Sequence, residues 1–208
     1  MINSTVIHFV RHGEVYNPQA VYYGRLPAFP LSKLGRQQAQ AAADFLCQYR
    51  LAAVFSSPLD RAIETSEIIS QSHNGLTWKI SELLNEAYTP FDGQPMSMVA
   101  ARDWDVYIGN KQPYEQPPDV LRRAQQFVAE IRQQYRGQHV VAITHGDVIA
   151  FMMLWVKEIP VTPQEKQRLY QGYLAQASVT TFTYQTASEH EVPSIEYVAP
   201  YKESLSGQ

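Results

Sequence analysis

Two short segments of the sequence place a histidine and a glycine directly after an apolar run. The first segment is VRHG at 10–13, and the second is ITHG at 143–146. Apolar runs of this length are typical of buried strands. In open α/β sheets, ligands bind beyond the carboxyl ends of the strands. We therefore expect His12, together with the preceding Arg11, and His145 to face one site.

A third segment, SSPLDRAIET at 56–65, is predicted to begin a helix after another strand. Ser57 is a good N-cap, Pro58 suits the first helical position, and Asp60 completes an arrangement similar to a capping box. Arg61 then lies in the first turn, where the positive end of the helix dipole attracts anions. Two arginines, two histidines and a helix N-terminus at one edge of a sheet predict a phosphate site.

These residues suit phosphoryl transfer. The reaction requires in-line positioning and neutralisation of the equatorial oxygens, which Arg11, Arg61 and His145 could supply. A guanidinium group gives two parallel hydrogen bonds to phosphate oxygens and stays charged at any working pH. A neutral His12 could attack phosphorus through one ring nitrogen while a carbonyl holds the proton of the other nitrogen. Gly13 would let the backbone come close enough to supply that carbonyl.

The leaving group needs a proton, and the segment ELLNEAYTPFDG at 82–93 offers Glu82 and Glu86. We prefer Glu86 because it follows Leu83 and Leu84, where a strand-like run breaks towards a proline-rich stretch. Glu82 remains the alternative. A carboxyl group that is partly desolvated and close to a phosphate dianion should have a raised pKa. It could donate a proton to the leaving group and then activate water.

The composition is that of a globular protein, and it lacks the features of nucleic-acid and membrane proteins. The chain has 208 residues, of which 45% are hydrophobic, and we expect one domain spanning 1–208. Its 17 basic and 20 acidic side chains form no block of like charge, which argues against nucleic acid as a partner. No run approaches the roughly twenty apolar residues of a membrane span, and the N-terminal residues lack the pattern of a secretion signal.

The single cysteine bears on the cellular compartment. Cys47 excludes an internal disulfide and agrees with a reducing environment, so we expect a cytoplasmic protein. Because Cys47 lies on the apolar side of a helical pattern, we interpret it as an inert core thiol.

Apolar runs of strand length alternate with longer segments of helical period, which predicts an α/β fold with a largely parallel sheet. The predicted strands are 5–10, 52–56, 139–143 and 178–185, and the predicted helices are 31–50 capped near Ser32, 58–70, 120–131 with an end near Gly137, and 147–156. Five prolines interrupt the stretch 88–118. We expect an irregular excursion there that covers the substrate, with a short helix near 97–104. From Lys202 the polar end should be a frayed tail.

The segments VRHGE, SSPLDRAIET and ITHGDVI, in this order and spacing, resemble the three signature segments of the histidine phosphatase superfamily, also called phosphoglycerate mutase-like. The resemblance extends from about the first strand to the last. It implies a three-layer α/β/α sandwich and a phosphatase that hydrolyses a phosphomonoester through a covalent phosphohistidine. By this likeness His12 is the phosphorylated residue, Glu86 is the proton donor, and Arg11, Arg61 and His145 form the phosphate pocket.

The sequence departs from the family pattern after the first segment. Many members carry threonine or serine after RHGE and then asparagine three positions later, whereas Val15 takes the first place here and Asn17 comes one position early. The likeness therefore suggests Asn17 as a phosphate-contacting amide at a shifted position. The stretch YYGRLPAFPLSKLGRQQA at 22–39 resembles the glycine-containing substrate loop of the family, which makes Tyr23 and Gly24 candidate substrate contacts.

Two other functions stay open on the sequence. Phosphoglycerate mutases resemble this chain, but they are longer and have a tyrosine-bearing acid motif, ERHYG, from which NEAYTPFDG at 85–93 differs. A non-catalytic module could bind phosphate or a phosphoprotein, although the intact His12 and Glu86 argue against it. We expect a small phosphorylated substrate. The sequence shows no cluster of metal ligands, so we expect no metal and no other cofactor. The sequence does not predict the oligomeric state.

Several other residues have structural interpretations. His8 lies on a strand four positions before His12, a spacing that makes no helical metal pair, and we interpret it as structural. Arg122 and Arg123 could clasp phosphate, but their place on the polar face of an amphipathic helix predicts a solvated pair. Six aromatic residues either line a pocket for an apolar leaving group or simply pack: Tyr16, Tyr22, Tyr23, Phe29, Tyr88 and Phe91.

Overall fold

The computed structural model describes residues 4–74, 76–169, 173–188 and 190–201. The strands are β1 Thr5–Arg11, β2 Leu51–Ser56, β3 Trp78–Ile80, β4 His139–Thr144, β5 Val179–Tyr184 and β6 Ser194–Val198. The helices are α1 Lys33–Leu46, α2 Asp60–Ser72, α3 Met96–Ala100, α4 Pro117–Gln134, α5 Gly146–Val156 and α6 Pro163–Lys166, and a 3-10 turn spans Glu82–Leu84. The predicted frayed tail from Lys202 lies outside the described residues.

The strands form one six-stranded sheet in the order β3-β2-β4-β1-β5-β6. The first four strands in this order run parallel, and β5 and β6 continue the sheet in antiparallel fashion. The predicted α/β fold with a mostly parallel sheet is therefore confirmed. In the register of the sheet, Arg11 pairs with Thr144 and Ser56 pairs with Ile143. The residues that follow β1, β2 and β4 consequently emerge side by side at one edge.

Helices cover both faces of the sheet. Successive side chains of a strand point to opposite faces, and β1 illustrates this: Phe9 shares an apolar cluster with Phe127 of α4, whereas Val10 shares a second cluster with Ile69 of α2. The first cluster also contains most of α5, and the second contains the buried side of α1. This arrangement confirms the predicted three-layer α/β/α sandwich.

Helix α5 carries part of the site into the interior. All residues from Gly146 to Leu154 are buried, and His145 is the N-cap residue of this helix. A helix that is apolar all round lies within a protein core or spans a membrane, and α5 has only eleven residues. Among the described residues, no helix is both long enough and apolar enough to cross a bilayer.

The predicted start of α2 at Pro58, with Ser57 as the N-cap, is wrong. The helix begins at Asp60, and its N-cap residue Leu59 makes no side-chain capping bond. The hydroxyl of Ser57 instead lies 2.8 Å from Nε2 of His145. The local sequence predicts that this hydroxyl caps the helix, but in the structure it hydrogen-bonds to His145, which follows a different strand.

Other local predictions have mixed outcomes. The cap at Ser32 is confirmed, because its hydroxyl accepts a hydrogen bond from the Gly35 amide at 2.9 Å. The core role of Cys47 is wrong: Cys47 is the exposed C-cap residue of α1, one position beyond Leu46, the last buried residue of this helix. The short elements β3, β6 and α6 escaped prediction, and α3 is a single turn within the irregular stretch 88–118.

Candidate active site

The carboxyl edge of the parallel strands brings Arg11, His12, Arg61, His145 and Glu86 together. Arg61 Nε donates to His12 Nε2 at 3.2 Å, and Arg61 Nη2 lies 3.3 Å from His145 Nδ1. The rings of the two histidines have centroids 5.2 Å apart. Arg11, His12 and Glu86 line a cavity of about 460 Å³. Four chain segments that are distant in sequence therefore meet at one site.

The hydrogen bonds of His12 fix its tautomer. Nδ1 lies 2.8 Å from the Gly13 carbonyl oxygen, which can only accept, so Nδ1 carries the proton. Nε2 then has the free lone pair, and it accepts from Arg61. Burial lowers the pKa of His12 well below its usual value, and the positive charges of Arg61 and Arg11 lower it further. His12 is therefore a neutral imidazole with Nε2 available as a nucleophile.

The glycine after His12 is required by a close backbone contact. A Cβ atom at Gly13 would overlap the carbonyl oxygen of Gly35 in α1, and a Cβ at Gly35 would overlap the carbonyl oxygen of Glu14. The Gly13 amide also donates to Thr65 Oγ1 of α2 at 3.3 Å. From the sequence, Gly13 was expected only to supply the carbonyl that holds His12. The structure adds that two glycines let α1 press against the loop that carries the histidine.

The two arginines have unused hydrogen-bonding capacity. Arg61 is fully buried, stacks over the Tyr23 ring at 4.7 Å and donates Nη2 to the Gly24 carbonyl at 2.7 Å. Arg11 donates Nη1 to the Leu174 carbonyl. Arg61 Nη1 and Arg11 Nε, however, are buried and have no hydrogen-bond partner among the residues that the structure describes. Buried N–H groups normally have a partner, so both groups are free to donate to an anion; Arg11 lines the cavity, whereas Arg61 lies behind its lining.

His145 is buried behind the residues that line the cavity. Arg61 Nη2 can only donate, so Nδ1 of His145 accepts and Nε2 donates to the Ser57 hydroxyl. Burial lowers the pKa of His145 well below its usual value, and Arg61 and His12 add to this shift. His145 is therefore neutral, and the positive charge of the site comes from the two arginines. The predicted role of His145 in neutralising phosphate charge stays a prediction, because a bound dianion would oppose this shift of its pKa.

The structure separates the two candidate proton donors. Glu86 lines the cavity, with Oε2 3.6 Å from His145 Nδ1, whereas Glu82 is exposed and accepts from Asn85 Nδ2 at 3.1 Å. Burial raises the pKa of Glu86, the negative charge of Asp147 raises it further, and Arg61 opposes the shift. A raised pKa favours the protonated carboxyl that a general acid requires.

An acidic residue that the sequence analysis did not single out lies beside Glu86. Asp147 accepts from Lys166 Nζ at 2.6 Å, from the Tyr107 hydroxyl at 2.5 Å and from the Tyr173 hydroxyl. Burial by itself raises the pKa of Asp147, but the ion pair with Lys166 and the tyrosine hydroxyls outweigh it, and the net shift is downward. Asp147 is therefore ionised. The sequence signal was its position directly after the second histidine–glycine pair.

The three weaker substrate candidates behave differently. Tyr23 and Gly24 line the cavity, and the Gly24 carbonyl holds Arg61. Asn17 does not line it: its amide donates to the Val21 carbonyl at 2.8 Å, and its carbonyl accepts from the Val21 amide at 3.2 Å. This corrects the prediction of a phosphate contact, since both polar groups of the Asn17 side chain brace their own loop.

The remaining sequence predictions are settled by simple contacts. His8 is structural, as predicted: it is buried, with Nδ1 2.9 Å from Thr181 Oγ1 and Nε2 3.0 Å from His139 Nδ1. Arg122 is exposed, as predicted. Arg123 was also predicted to be solvated, but it pairs with the partly buried carboxylate of Glu115.

Among the six aromatic residues, Tyr22 and Tyr23 line the cavity. Within the described parts of the chain, no group of three or more potential metal ligands is arranged to hold an ion.

The fold and this site are those of the histidine phosphatase superfamily. The model of the histidine phosphatase superfamily (branch 1) matches residues 7–192, and the chain belongs to this family. The family predicted from the three sequence segments is thereby confirmed.

Relatives with known structures or names support the same class. The solved structure of a mycobacterial glucosyl-3-phosphoglycerate phosphatase superposes with a TM-score of 0.73 at 25% identity, covering 93% of this chain and 97% of that one. The metal-independent phosphoserine phosphatase of Arabidopsis thaliana is 28% identical over 74% of this chain and 69% of its own length. An uncharacterised protein of Mycobacterium tuberculosis is 34% identical over 88% of this chain and 92% of its own length.

Proposed function

We propose that this protein is a metal-independent phosphomonoesterase in which Nε2 of His12 is the nucleophile. The state of His12 carries the proposal: its Nδ1 proton is held by the Gly13 carbonyl, and its Nε2 lone pair points to Arg61. A neutral imidazole with a fixed tautomer, next to two arginines with buried unused N–H groups, is suited to attack a phosphate ester. The named phosphatases among its relatives support the same reaction class.

In the first half-reaction, phosphate oxygens accept from Arg11 Nε and Arg61 Nη1. Arg61 Nε turns from His12 to a phosphate oxygen, which frees the Nε2 lone pair. Nε2 attacks phosphorus, the bond from phosphorus to the leaving oxygen breaks, and the Glu86 carboxyl gives its proton to that oxygen. The ring keeps its Nδ1 proton on the Gly13 carbonyl throughout.

In the second half-reaction, water attacks the phosphohistidine. The Glu86 carboxylate takes a proton from this water, and the bond between Nε2 and phosphorus breaks. Inorganic phosphate leaves, His12 returns to the neutral imidazole, and Glu86 is again protonated. One carboxyl group therefore serves as the acid in the first step and as the base in the second.

We propose that the leaving group is small and uncharged. Beyond the phosphate end, Tyr22 and Trp104 line the cavity, and the one lysine among its described lining residues, Lys166, is already paired with Asp147. Arg11, the other cation among the described lining residues, is assigned to the phosphate, so a second anion on the substrate would find no unpaired cation there. The proposal also retains the sequence expectations of a cytoplasmic location and of no membrane, nucleic-acid or metal partner.

The proposal is tested by assaying the purified protein against a panel of phosphomonoesters with and without EDTA. We expect release of inorganic phosphate from 4-nitrophenyl phosphate, no effect of EDTA, and loss of activity in His12→Ala. The matched control is His190→Ala, which removes an exposed histidine. Activity that EDTA abolishes and a divalent metal restores would overturn metal independence. Transfer of phosphate between positions of phosphoglycerate would favour a mutase, and phosphate binding without any hydrolysis would favour a binding module.

A further inference from the structure

The backbone around Glu86 is held at three points by side chains from elsewhere in the chain. Arg25 Nε donates to the Glu86 carbonyl at 2.7 Å, and Arg123 Nη1 of α4 donates to the Leu83 carbonyl at 2.9 Å. On the other side of Glu86, the Tyr88 amide donates to Glu115 Oε2 at 2.8 Å. The candidate proton donor is therefore bracketed on both sides.

A single carboxylate joins these three points. Glu115 Oε2 accepts from Arg25 Nη2 at 2.9 Å, and Arg123 approaches the same carboxylate as a fork, with Nε 2.7 Å from Oε1 and Nη2 3.3 Å from Oε2. The Glu115 amide also donates to the Tyr88 carbonyl at 2.9 Å. We name Arg25, Glu115 and Arg123 the Glu115 clamp. Without its carboxylate, two like-charged guanidinium groups would face each other and lose their shared partner.

The clamp also reaches the phosphate end of the site. Arg25 directly follows Gly24, whose carbonyl holds Arg61. The same short segment thus fixes the arginine that faces phosphate and the backbone of the residue that protonates the leaving group. A displacement of about 1 Å in such a group can lower a rate by about 10²-fold, so a rigid connection between the two ends has a direct catalytic value.

We propose that Glu115 is a positioning residue for the proton donor Glu86, acting through Arg25 and Arg123; this rests on the proposed function of Glu86. Glu115 does not line the cavity, so it acts on the reaction only through the clamp. Its loss should misplace the Glu86 carboxyl more than the phosphate-binding groups, because Arg25, Arg123 and Glu115 itself bind the backbone around Glu86 directly, whereas Arg61 is reached only through Gly24.

The experiment compares Glu115→Gln with the wild type on two leaving groups, using kcat/KM because it reports the steps up to the phosphohistidine. Nitrophenolate leaves as a stable anion and needs little proton donation, whereas the alkoxide of an alkyl phosphate needs it fully. We expect kcat/KM to fall by about 10²-fold for the best alkyl phosphate of the panel and by about threefold or less for 4-nitrophenyl phosphate. An equal loss on both substrates, or no loss on either, would overturn the proposal.

Two further variants complete the test. Glu191→Gln is the matched control, because Glu191 is similarly buried (13% side-chain exposure against 16% for Glu115), pairs with Arg132 of the same helix α4 and accepts from backbone amides. It should lower stability without changing the ratio between the two substrates. Glu86→Gln should show the leaving-group effect at least as strongly. If Glu86→Gln lacks it, the proton-donor role itself fails; if only Glu115→Gln lacks it, the clamp fails.

Discussion

Replacement of Arg61 by lysine tests whether the geometry of this guanidinium, and not only its charge, serves the reaction. Arg61 donates to the Gly24 carbonyl at 2.7 Å and to His12 at 3.2 Å, and its Nη1 group is left for the substrate. A lysine has one nitrogen on a flexible stem, so it cannot hold the carbonyl and two phosphate oxygens at once. Up to two of these three charge-assisted hydrogen bonds are therefore lost in the transition state of Arg61→Lys.

The expected loss follows from these bonds. Hydrogen bonds to charged groups contribute about 1.5–3 kcal/mol each, so two of them amount to about 3–6 kcal/mol. Since about 1.4 kcal/mol corresponds to a tenfold change in rate, kcat/KM for 4-nitrophenyl phosphate should fall by about 10²–10⁴-fold in Arg61→Lys.

Two measurements accompany this assay. Thermal unfolding, followed by circular dichroism, establishes that the variant is folded, and Arg168→Lys serves as the control because Arg168 is an exposed residue that pairs with Glu165 on the surface. The control should keep wild-type activity. If folded Arg61→Lys retains kcat/KM within about threefold of the wild type, the assigned role of the guanidinium is refuted.

Three further predictions concern stability and specificity. Burial lowers the pKa of His8 from its usual 6.5 to about 3, and His139 adds to this shift. Between pH 6.5 and about 3, His8 is therefore protonated in the unfolded chain but neutral in the folded protein. The folded protein consequently loses stability as the pH falls below 6.5. The free energy of unfolding in urea should drop by about 2 kcal/mol between pH 7.5 and 5 from this residue alone, and His8→Gln should reduce the drop accordingly; an unchanged drop would contradict the assignment. Gly35→Ala should destabilise the protein by about 1–3 kcal/mol despite the better helix propensity of alanine, whereas Gln37→Ala on the exposed face of α1 should not; equal stabilities would show that the close contact with Glu14 is not tight. Finally, kcat/KM should be higher for phosphates with an uncharged leaving group than for phosphoserine, and the reverse order would contradict the role given to the Lys166–Asp147 pair.

Local sequence patterns predicted the parts of the site that depend on strand ends. An apolar run followed by a histidine and a glycine indicates both the strand and the edge at which the polar side chains emerge. The proximity of Arg11, His12 and His145 could therefore be predicted from the sequence. Arg61 was placed correctly at the same edge even though α2 begins two residues later than predicted. The strand that precedes it, and not the helix cap, determines its location.

Polar contacts between residues distant in the chain could not be predicted from local sequence patterns. Ser57 has the type and position of a helix cap, but His145, 88 residues away, takes its hydroxyl. Arg123 lies on the face of α4 that periodicity assigns to solvent, yet the end of the irregular stretch 88–118 brings Glu115 onto it. Periodicity predicts which face of a helix meets the core, but it contains no information on which loop returns to cover the polar face.

The family pattern placed Glu86 more securely than the residues alone could. Glu82 and Glu86 are four positions apart, and only the 3-10 turn at Glu82–Leu84 sends one outward and the other into the cavity. Asn17 shows the opposite case, in which a residue of the expected type near the expected position uses its amide within its own loop.

The central claim is that Nε2 of His12 carries the phosphoryl group during turnover. The most direct measurement mixes Glu86→Gln with 4-nitrophenyl phosphate, where the first step needs little proton donation and the second step lacks its base, and quenches in alkali before peptide mass spectrometry. We expect an acid-labile phosphoryl group on the peptide that contains His12, and none when His12 is also replaced by alanine. A phosphoryl group on any other residue, or wild-type turnover in His12→Ala, would contradict the account.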